Sequence, residues 1–267
     1  MDHGLYTAFL GMRARQRTLD MIANNIANAA TPGFKADRML YRSVQAAEME
    51  SGIPFNLPGQ QPELEPTAND QALDRSLASI HGRNVSVITN TMANHASGEL
   101  RQTGRALDLA LDGDGFLVVQ TGRGERYTRA GALKLNAANQ LVTPQGDLIV
   151  GEQGPITVPR GDLNIGQYGE VSVDGQLAGR LKIVSFDNPQ NQLLKEGETL
   201  FVAPEAKSKP ATSTRVVQNA LEMSNVNPMT EMAAMLQNSR EFDTLQRSIT
   251  MLMNDLGRKV ATEIGRI

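Results

Sequence analysis

Apolar residues recur every seven positions at both ends of this chain, and alternate with polar ones through its middle. Near the start Leu5, Met12, Leu19 and Ile26 keep the seven-residue interval; near the end Met235, Phe242, Ile249 and Leu256 keep it. Such a repeat holds one seam of an α-helix toward a partner helix. Each terminus therefore reads as a helix built to pair along its length. From Leu5 to about Asn28, Ala8, Phe9, Ile22 and Ala23 widen the stripe. Arg15 stands where a second seam residue of its heptad belongs, so the stripe is broken once. The helix is predicted to stop in Ala30-Thr31-Pro32-Gly33, because proline disfavours helix at the residue before it and glycine permits a sharp turn.

A second, short amphipathic piece is predicted around Ala36–Met49. Ser51 to Asn69 then carries Gly52, Pro54, Pro58, Gly59, Pro62 and Pro66 with little periodicity, the signature of an extended linker. Between Ala72 and Leu100 only Val85, Val87 and Thr89 show a pattern, that of an extended strand. From Ala106 the period is two. Leu107, Leu109 and Leu111 alternate; Phe116–Gln120, Glu125–Arg129, Leu141–Thr143, Ile156–Val158, Glu170–Val173, Leu181–Phe186 and Thr199–Val202 follow as short runs separated by Gly, Asn, Asp and Pro turns. Turn signals every eight to twelve residues predict an all-β sandwich or distorted barrel.

Helix returns at Asn225-Val226-Asn227-Pro228. Asn227 can cap free amides, Pro228 suits the first helical position, and Glu231 complements the dipole in the first turn. The helix is predicted to run to about Ile264, roughly 55 Å. Leu245 and Leu252 fill the second seam position; Asn238 and Ser239 interrupt the seam once. The fold class is thus α+β: N- and C-terminal helices pairing as a coiled-coil core, with a central all-β domain. The expected divisions are residues 1–35, 36–105, 106–217 and 218–267.

Composition narrows function. The net charge of −3 gives no electrostatic claim on nucleic acid. No run approaches the roughly 18 apolar residues that cross a bilayer, so no membrane insertion is expected. The first Lys is Lys35, and no compact apolar core with a small-residue cleavage site opens the chain, so no cleaved signal peptide is expected. With no cysteine there is no disulfide frame and no thiol nucleophile. Five of the twelve Met lie between Met229 and Met253; Met packs adaptably, whether in a helix core or against non-identical neighbours.

Three groups of residues, in order, resemble the flagellar axial proteins of the rod and hook. The first is Ala23-Asn24-Asn25-Ile26-Ala27-Asn28 with Thr31-Pro32-Gly33-Phe34-Lys35. The second is Asp108-Leu109-Ala110-Leu111, Gly113-Asp114-Gly115-Phe116, Tyr127-Thr128-Arg129-Ala130-Gly131 and Leu141-Val142-Thr143-Pro144-Gln145-Gly146. The third is Leu221-Glu222-Met223-Ser224-Asn225-Val226-Asn227-Pro228. Met223 stands where that family usually has a small residue, often Gly. The length suits a rod subunit and is short for a hook protein.

The resemblance implies a structural, non-enzymatic subunit of the bacterial flagellar basal-body rod. It implies terminal helices that form a tube, with the β-domain outside making lateral contacts, and a polymer that transmits torque. Its expected partners are itself, other axial proteins and the flagellar type III export apparatus; no nucleic acid and no cofactor is expected. The alternative is a hook or hook-like axial protein. The residues expected at the assembly interface are Leu5, Met12, Leu19, Ile22, Asn24, Asn25, Ile26, Asn28, Asn225, Asn227, Met235, Phe242, Leu245, Ile249, Leu252 and Leu256. Asn24, Asn25 and Asn28 have two readings: amides bridging neighbouring helices to fix register, or a frayed helix end beside Pro32.

Other chemistry is weaker. Asp112 to Gly115 fails as a calcium loop, because Phe116 stands where an oxygen ligand is needed and Arg123 where the last Glu belongs. It fails as a dinucleotide motif because Val118 replaces the third Gly. A tight hairpin turn explains it better. His3, His81 and His95 are far apart, and Arg101, Arg105, Arg123, Arg126 and Arg129 read as a solvated basic edge. A β-domain enzyme with helical dimerisation arms would need a polar cluster in a pocket.

Overall fold

The computed structural model describes residues 2–44, 85–204 and 208–264. Helix α1 spans Asp2–Ala27. It ends as the heptad stripe ends: Asn28–Ala30 form a turn, and Gly33 adopts a φ of 73° just after Pro32. Of the segment predicted as a second amphipathic piece, the described part is instead a strand, Asp37–Val44, paired with Val85–Ala93, and residues 45–49 lie outside the described residues. A run this short cannot nucleate its own helix, and a neighbouring strand satisfies its backbone groups. The extended pattern at Val85, Val87 and Thr89 belongs to that partner strand. The Ser51–Asn69 linker lies outside the described residues.

The described chain falls into two compact units. The β unit takes residues 25–38 and 92–227; the helical unit takes residues 2–24, the paired strand segments from 39 to 44 and 85 to 91, and residues 228–264. The β unit therefore draws on chain from both sides of the 106–217 segment.

A ten-stranded sheet organises the β unit around the strand Gly115–Thr121. That strand pairs antiparallel with Gly124–Thr128, Leu148–Gly151 and Ile183–Ser185. Its side chains alternate between two cores. Leu117 and Val119 enter a large cluster with Leu109, Leu141, Ile149, Val171 and Leu181. Phe116 and Val118 enter a smaller one with Tyr127, Phe186 and Phe201. A strand covered on both faces needs no polar alternation, so Phe116-Leu117-Val118-Val119 is a continuous apolar run.

Smaller sheets complete the unit. Leu163–Ile165, Glu170–Val173 and Gln176–Arg180 form an antiparallel meander. Its second hairpin turns on Asp174-Gly175, with φ of 50° and 81°, the pairing a two-residue hairpin with positive φ at both positions selects. Arg215–Gln218 pairs with Leu109–Asp112, and Ala220–Glu222 with Leu100–Gln102. Gly113-Asp114 is consequently a bend between strands with different partners, not a hairpin. Ile156–Val158 is no strand; Thr157 makes an isolated bridge to Gln140. A single helical turn, α2, spans Pro189–Gln192.

Helix α3 spans Pro228–Ile264, with Pro228 at its first position and Glu231 in its first turn. Its half-buried stripe runs through Ala234, Asn238, Glu241, Phe242, Leu245 and Ile249. Met232, Met235, Leu236, Met251 and Met253 are exposed. No helix among the described residues is long and apolar enough to cross a membrane.

Candidate functional site

Three stretches far apart in sequence meet at a buried cluster of charge inside the β unit. Thr31 to Lys35 follows the end of α1, Tyr127 to Gly131 runs out of the end of the hairpin strand Gly124–Thr128, and Leu221 to Val226 leads into α3. Lys35 Nζ lies 2.6 Å from Glu222 Oε1 and donates to the Ala96 carbonyl at 2.8 Å. Glu222 Oε1 also accepts the Gly98 N–H at 2.9 Å. Arg129 Nη1 is 3.4 Å from Glu222 Oε2 and 3.4 Å from the Leu111 carbonyl. The Lys35 and Glu222 side chains are 0% exposed and that of Arg129 is 2% exposed. Burial pulls both cations below their usual range, and Glu222 opposes that pull on each.

One carboxylate serves two cations, so the cluster keeps a positive excess, which Asp114 offsets in part at Arg129. His95 registers that field. Its ring packs against Phe201 at 4.9 Å and Phe116 at 5.6 Å, and both ring nitrogens are buried without a hydrogen-bond partner. Burial, then Lys35, Arg129 and Lys195, lower its pKa to about 4. At neutral pH it is an uncharged ring.

Backbone crossings lock the same region. A Cβ on Gly131 would stand 1.8 Å from the Leu109 carbonyl oxygen, one on Gly98 1.9 Å from that of Met223, and one on Gly33 2.3 Å from the Ala130 nitrogen. Glycine is required where backbones approach this closely. Met223 itself needs no such allowance, because its φ is not positive and Gly98 makes the room. Gly33 N–H donates to the Glu222 carbonyl at 2.8 Å, and Met223 N–H to that of Glu99 at 2.8 Å.

The asparagines of the motifs work at this junction. Asn25, buried, accepts the Asp37 N–H at 2.9 Å and donates to the Asp37 carbonyl at 3.0 Å. Asn225 accepts the Ala36 N–H at 2.8 Å and donates to the carbonyls of Asn94 and Ala96 at 2.7 and 2.9 Å. Asn28, also buried, accepts from the Thr31 hydroxyl at 3.2 Å. Lys195 Nζ closes the arrangement, 2.9 Å from Asp37 Oδ2, 2.9 Å from the Lys35 carbonyl and 3.7 Å from the centre of the Phe34 ring.

Of the other residues expected at an interface, Ile22 is buried, Met12, Leu19, Ile26, Phe242, Leu245 and Ile249 are half-buried, and Asn24, Asn227 and Met235 are exposed. Leu5, Leu252 and Leu256 lie within the helices at their heptad positions. The basic edge divides. Arg101, Arg105 and Arg123 are exposed, Arg126 pairs with Glu196 at 2.5 Å, and Arg129 is interior. Lys35 and Glu222 stood inside the motifs with no assigned role, and Arg129 was read as part of a solvated basic edge; the signal that marks all three is a charged residue set among small and apolar ones. Among the described residues no cluster of three or more His, Asp or Glu has metal-binding geometry.

Three family profiles match in chain order: the flagella basal body rod protein profile over residues 5–35, the flagellar hook protein FlgE/F/G D1 domain over 110–173, and the flagellar basal body rod FlgEFG protein C-terminal over 217–256. The flagellar basal-body rod protein FlgF of Salmonella typhimurium is 33% identical, with 97% of each chain covered. FlgF of Caulobacter vibrioides is 30% identical over the full length of both. FlgG of Bacillus subtilis is 29% identical, covering 94% of this chain and 95% of its own. The chain belongs to the flagellar basal-body rod protein family. The buried cluster joins the three profile segments of this rod protein: Lys35 ends the first, Arg129 lies in the second and Glu222 in the third.

Proposed function

We propose that this structural subunit of the flagellar basal-body rod assembles by pairing α1 and α3 as a coiled coil, within and between subunits, into a helical tube that transmits torque. The observation that carries the reading is the apolar face of α3 exposed in the single chain: Leu236 at 63%, Met251 at 67% and Met232 at 47%. Exposed apolar side chains grouped on a helix favour burial against another helix. Met12, Leu19, Ile26, Phe242, Leu245 and Ile249, with Leu5, Leu252 and Leu256 on the same heptads, supply the seams; Met235 and Asn24 lie where neighbours would meet. A head-to-tail contact whose rotation does not close gives a helical polymer. The β unit, with its own core and internal charge cluster, makes the lateral contacts and performs no catalysis. The chain reaches the rod through the flagellar type III export apparatus.

Electron microscopy of basal bodies from cells lacking the gene tests this. The expected result is a rod that stops short, with no hook or filament. Complete basal bodies on motile cells would overturn it.

A further inference from the structure

We infer that Arg15, Asn238 and Glu241 form a polar pin that sets the register of α1 against α3 within one subunit. The inference rests on the pairing of the two helices proposed above. Arg15 interrupts one apolar seam and Asn238 the other, and the two interruptions meet. Arg15 Nη1 donates to Asn238 Oδ1 at 3.0 Å. Arg15 Nη2 lies 2.6 Å from Glu241 Oε2, an ion pair in contact without the alignment of a hydrogen bond.

Both acceptors are set in place by their own helix. Asn238 Nδ2 donates to the Ala234 carbonyl at 2.8 Å, which turns Oδ1 outward, and Gln237 Nε2 holds the other Glu241 oxygen at 3.2 Å. One turn away, a Cβ on Gly11 would stand 3.8 Å from Leu245 Cδ1. The two contacts run in opposite chain directions, 15 to 11 against 238 to 245, as in antiparallel helices.

A seven-residue repeat can slip by seven residues and still face apolar residues to apolar ones, and Met packs tolerantly. Arg15 cannot slip so freely. Seven residues one way, its guanidinium would meet Leu245 and Ser248; seven the other way it would meet Glu231 and Ala234 and lose the amide. A single polar contact in an apolar seam fixes register in this manner, at some cost in stability. Arg15 and Glu241 are 39% and 36% exposed, so the pin selects a register more than it strengthens the pairing.

The chain has no cysteine, so introduced pairs report register cleanly. Gly11→Cys with Leu245→Cys reads the observed register, and Gly11→Cys with Leu252→Cys reads a slip of one heptad. Under mild oxidation of the full chain the first pair is expected to crosslink in preference to the second, within one subunit. Arg15→Leu is expected to lower that preference roughly three- to fivefold, the range an exposed ion pair and its hydrogen bond support, without lowering helix content. Arg15→Glu with Glu241→Arg is expected to restore it. An unchanged preference in Arg15→Leu, or no restoration by the charge swap, would overturn the pin and leave helix pairing standing. No crosslink of either kind in the unsubstituted background, or crosslinks only between subunits, would overturn the intrasubunit pairing itself.

Discussion

In the β unit, Lys35, Arg129 and Glu222 are shut away from water together, whereas along α3 Met232, Leu236 and Met251 stand in it. The two regions place their unfavourable groups oppositely. Buried charge is tolerable only when opposite charge and backbone dipoles surround it, and the cluster draws these from residues 35, 129 and 222 at once. The β unit is therefore complete only when both ends of its chain are in place. Exposed apolar surface is tolerable in a subunit that covers it on assembly. A single chain can thus hold a finished unit and an unfinished one.

Glu222→Ala attacks the finished unit hardest. It leaves Lys35 and Arg129 buried without their shared ion-pair partner, Asp114 offsetting only part of the charge at Arg129, and strips an acceptor from the Gly98 N–H. The expected loss is about 3–5 kcal/mol of unfolding free energy, measured by denaturant titration of the full chain. Replacing all three charges together, as Lys35→Met, Arg129→Met and Glu222→Leu, is expected to recover most of it, because apolar groups of similar volume leave no charge stranded. A loss under about 1 kcal/mol for Glu222→Ala would mean that water reaches the cluster.

Acid tests the same unit through His95. Its folded pKa of about 4 lies below the 6.5 of the unfolded chain, so the unfolded state binds the extra proton between those values. Stability from the neutral ring is complete above pH 6.5 and is lost as pH falls toward 4, by about 3 kcal/mol. His95→Phe keeps an aromatic ring against Phe116 and Phe201 and removes the titration. It is expected to flatten that part of the pH dependence and to add about 1 kcal/mol at neutral pH, since two unpartnered nitrogens leave the interior. Parallel slopes for the two proteins between pH 4 and 6.5 would refute the assignment.

Within the β unit, at the last turn of α1, Asn25→Ala is expected to cost about 2 kcal/mol. Asp37 then keeps an N–H and a carbonyl without their side-chain partner. Amide hydrogen exchange at Asp37 reads it directly. Unchanged protection there would show that the backbone finds another partner.

These residues also mark how far the sequence could be read. Both long helices and the β character of the middle followed from periods of seven and two, because burial on one face leaves a periodic trace. Leu163–Ile165 and Arg215–Gln218 left none: they are short, and their pairing is set by partners distant in the chain. Asp37–Val44 was misread because a brief amphipathic run fits either period until a neighbouring strand decides. The buried cluster was hidden differently. Lys35, Arg129 and Glu222 each look like surface residues in isolation, and only the close crossings at Gly33, Gly98 and Gly131 bring them together. Asn25 had two readings, a helix-bridging amide or a frayed helix end, and Asn225 was expected at the assembly interface; in the structure both bond backbone groups of their own subunit, at Asp37 for Asn25 and at Ala36, Asn94 and Ala96 for Asn225.

The smallest stability effect belongs to the unfinished region, and it sharpens the contrast most. Leu236 is exposed, so Leu236→Ser removes little that folding buries and is expected to change the unfolding free energy of the isolated chain by less than about 0.5 kcal/mol. The same substitution puts a hydroxyl where a neighbouring subunit would cover a leucine. Cells carrying it are expected to assemble fewer complete rods, counted by electron microscopy, and to swim less. Normal rods would place the assembly contact on another face of α3. A large loss of stability in the isolated chain would show instead that Leu236 already packs within the subunit, and the contrast between the two regions would fail.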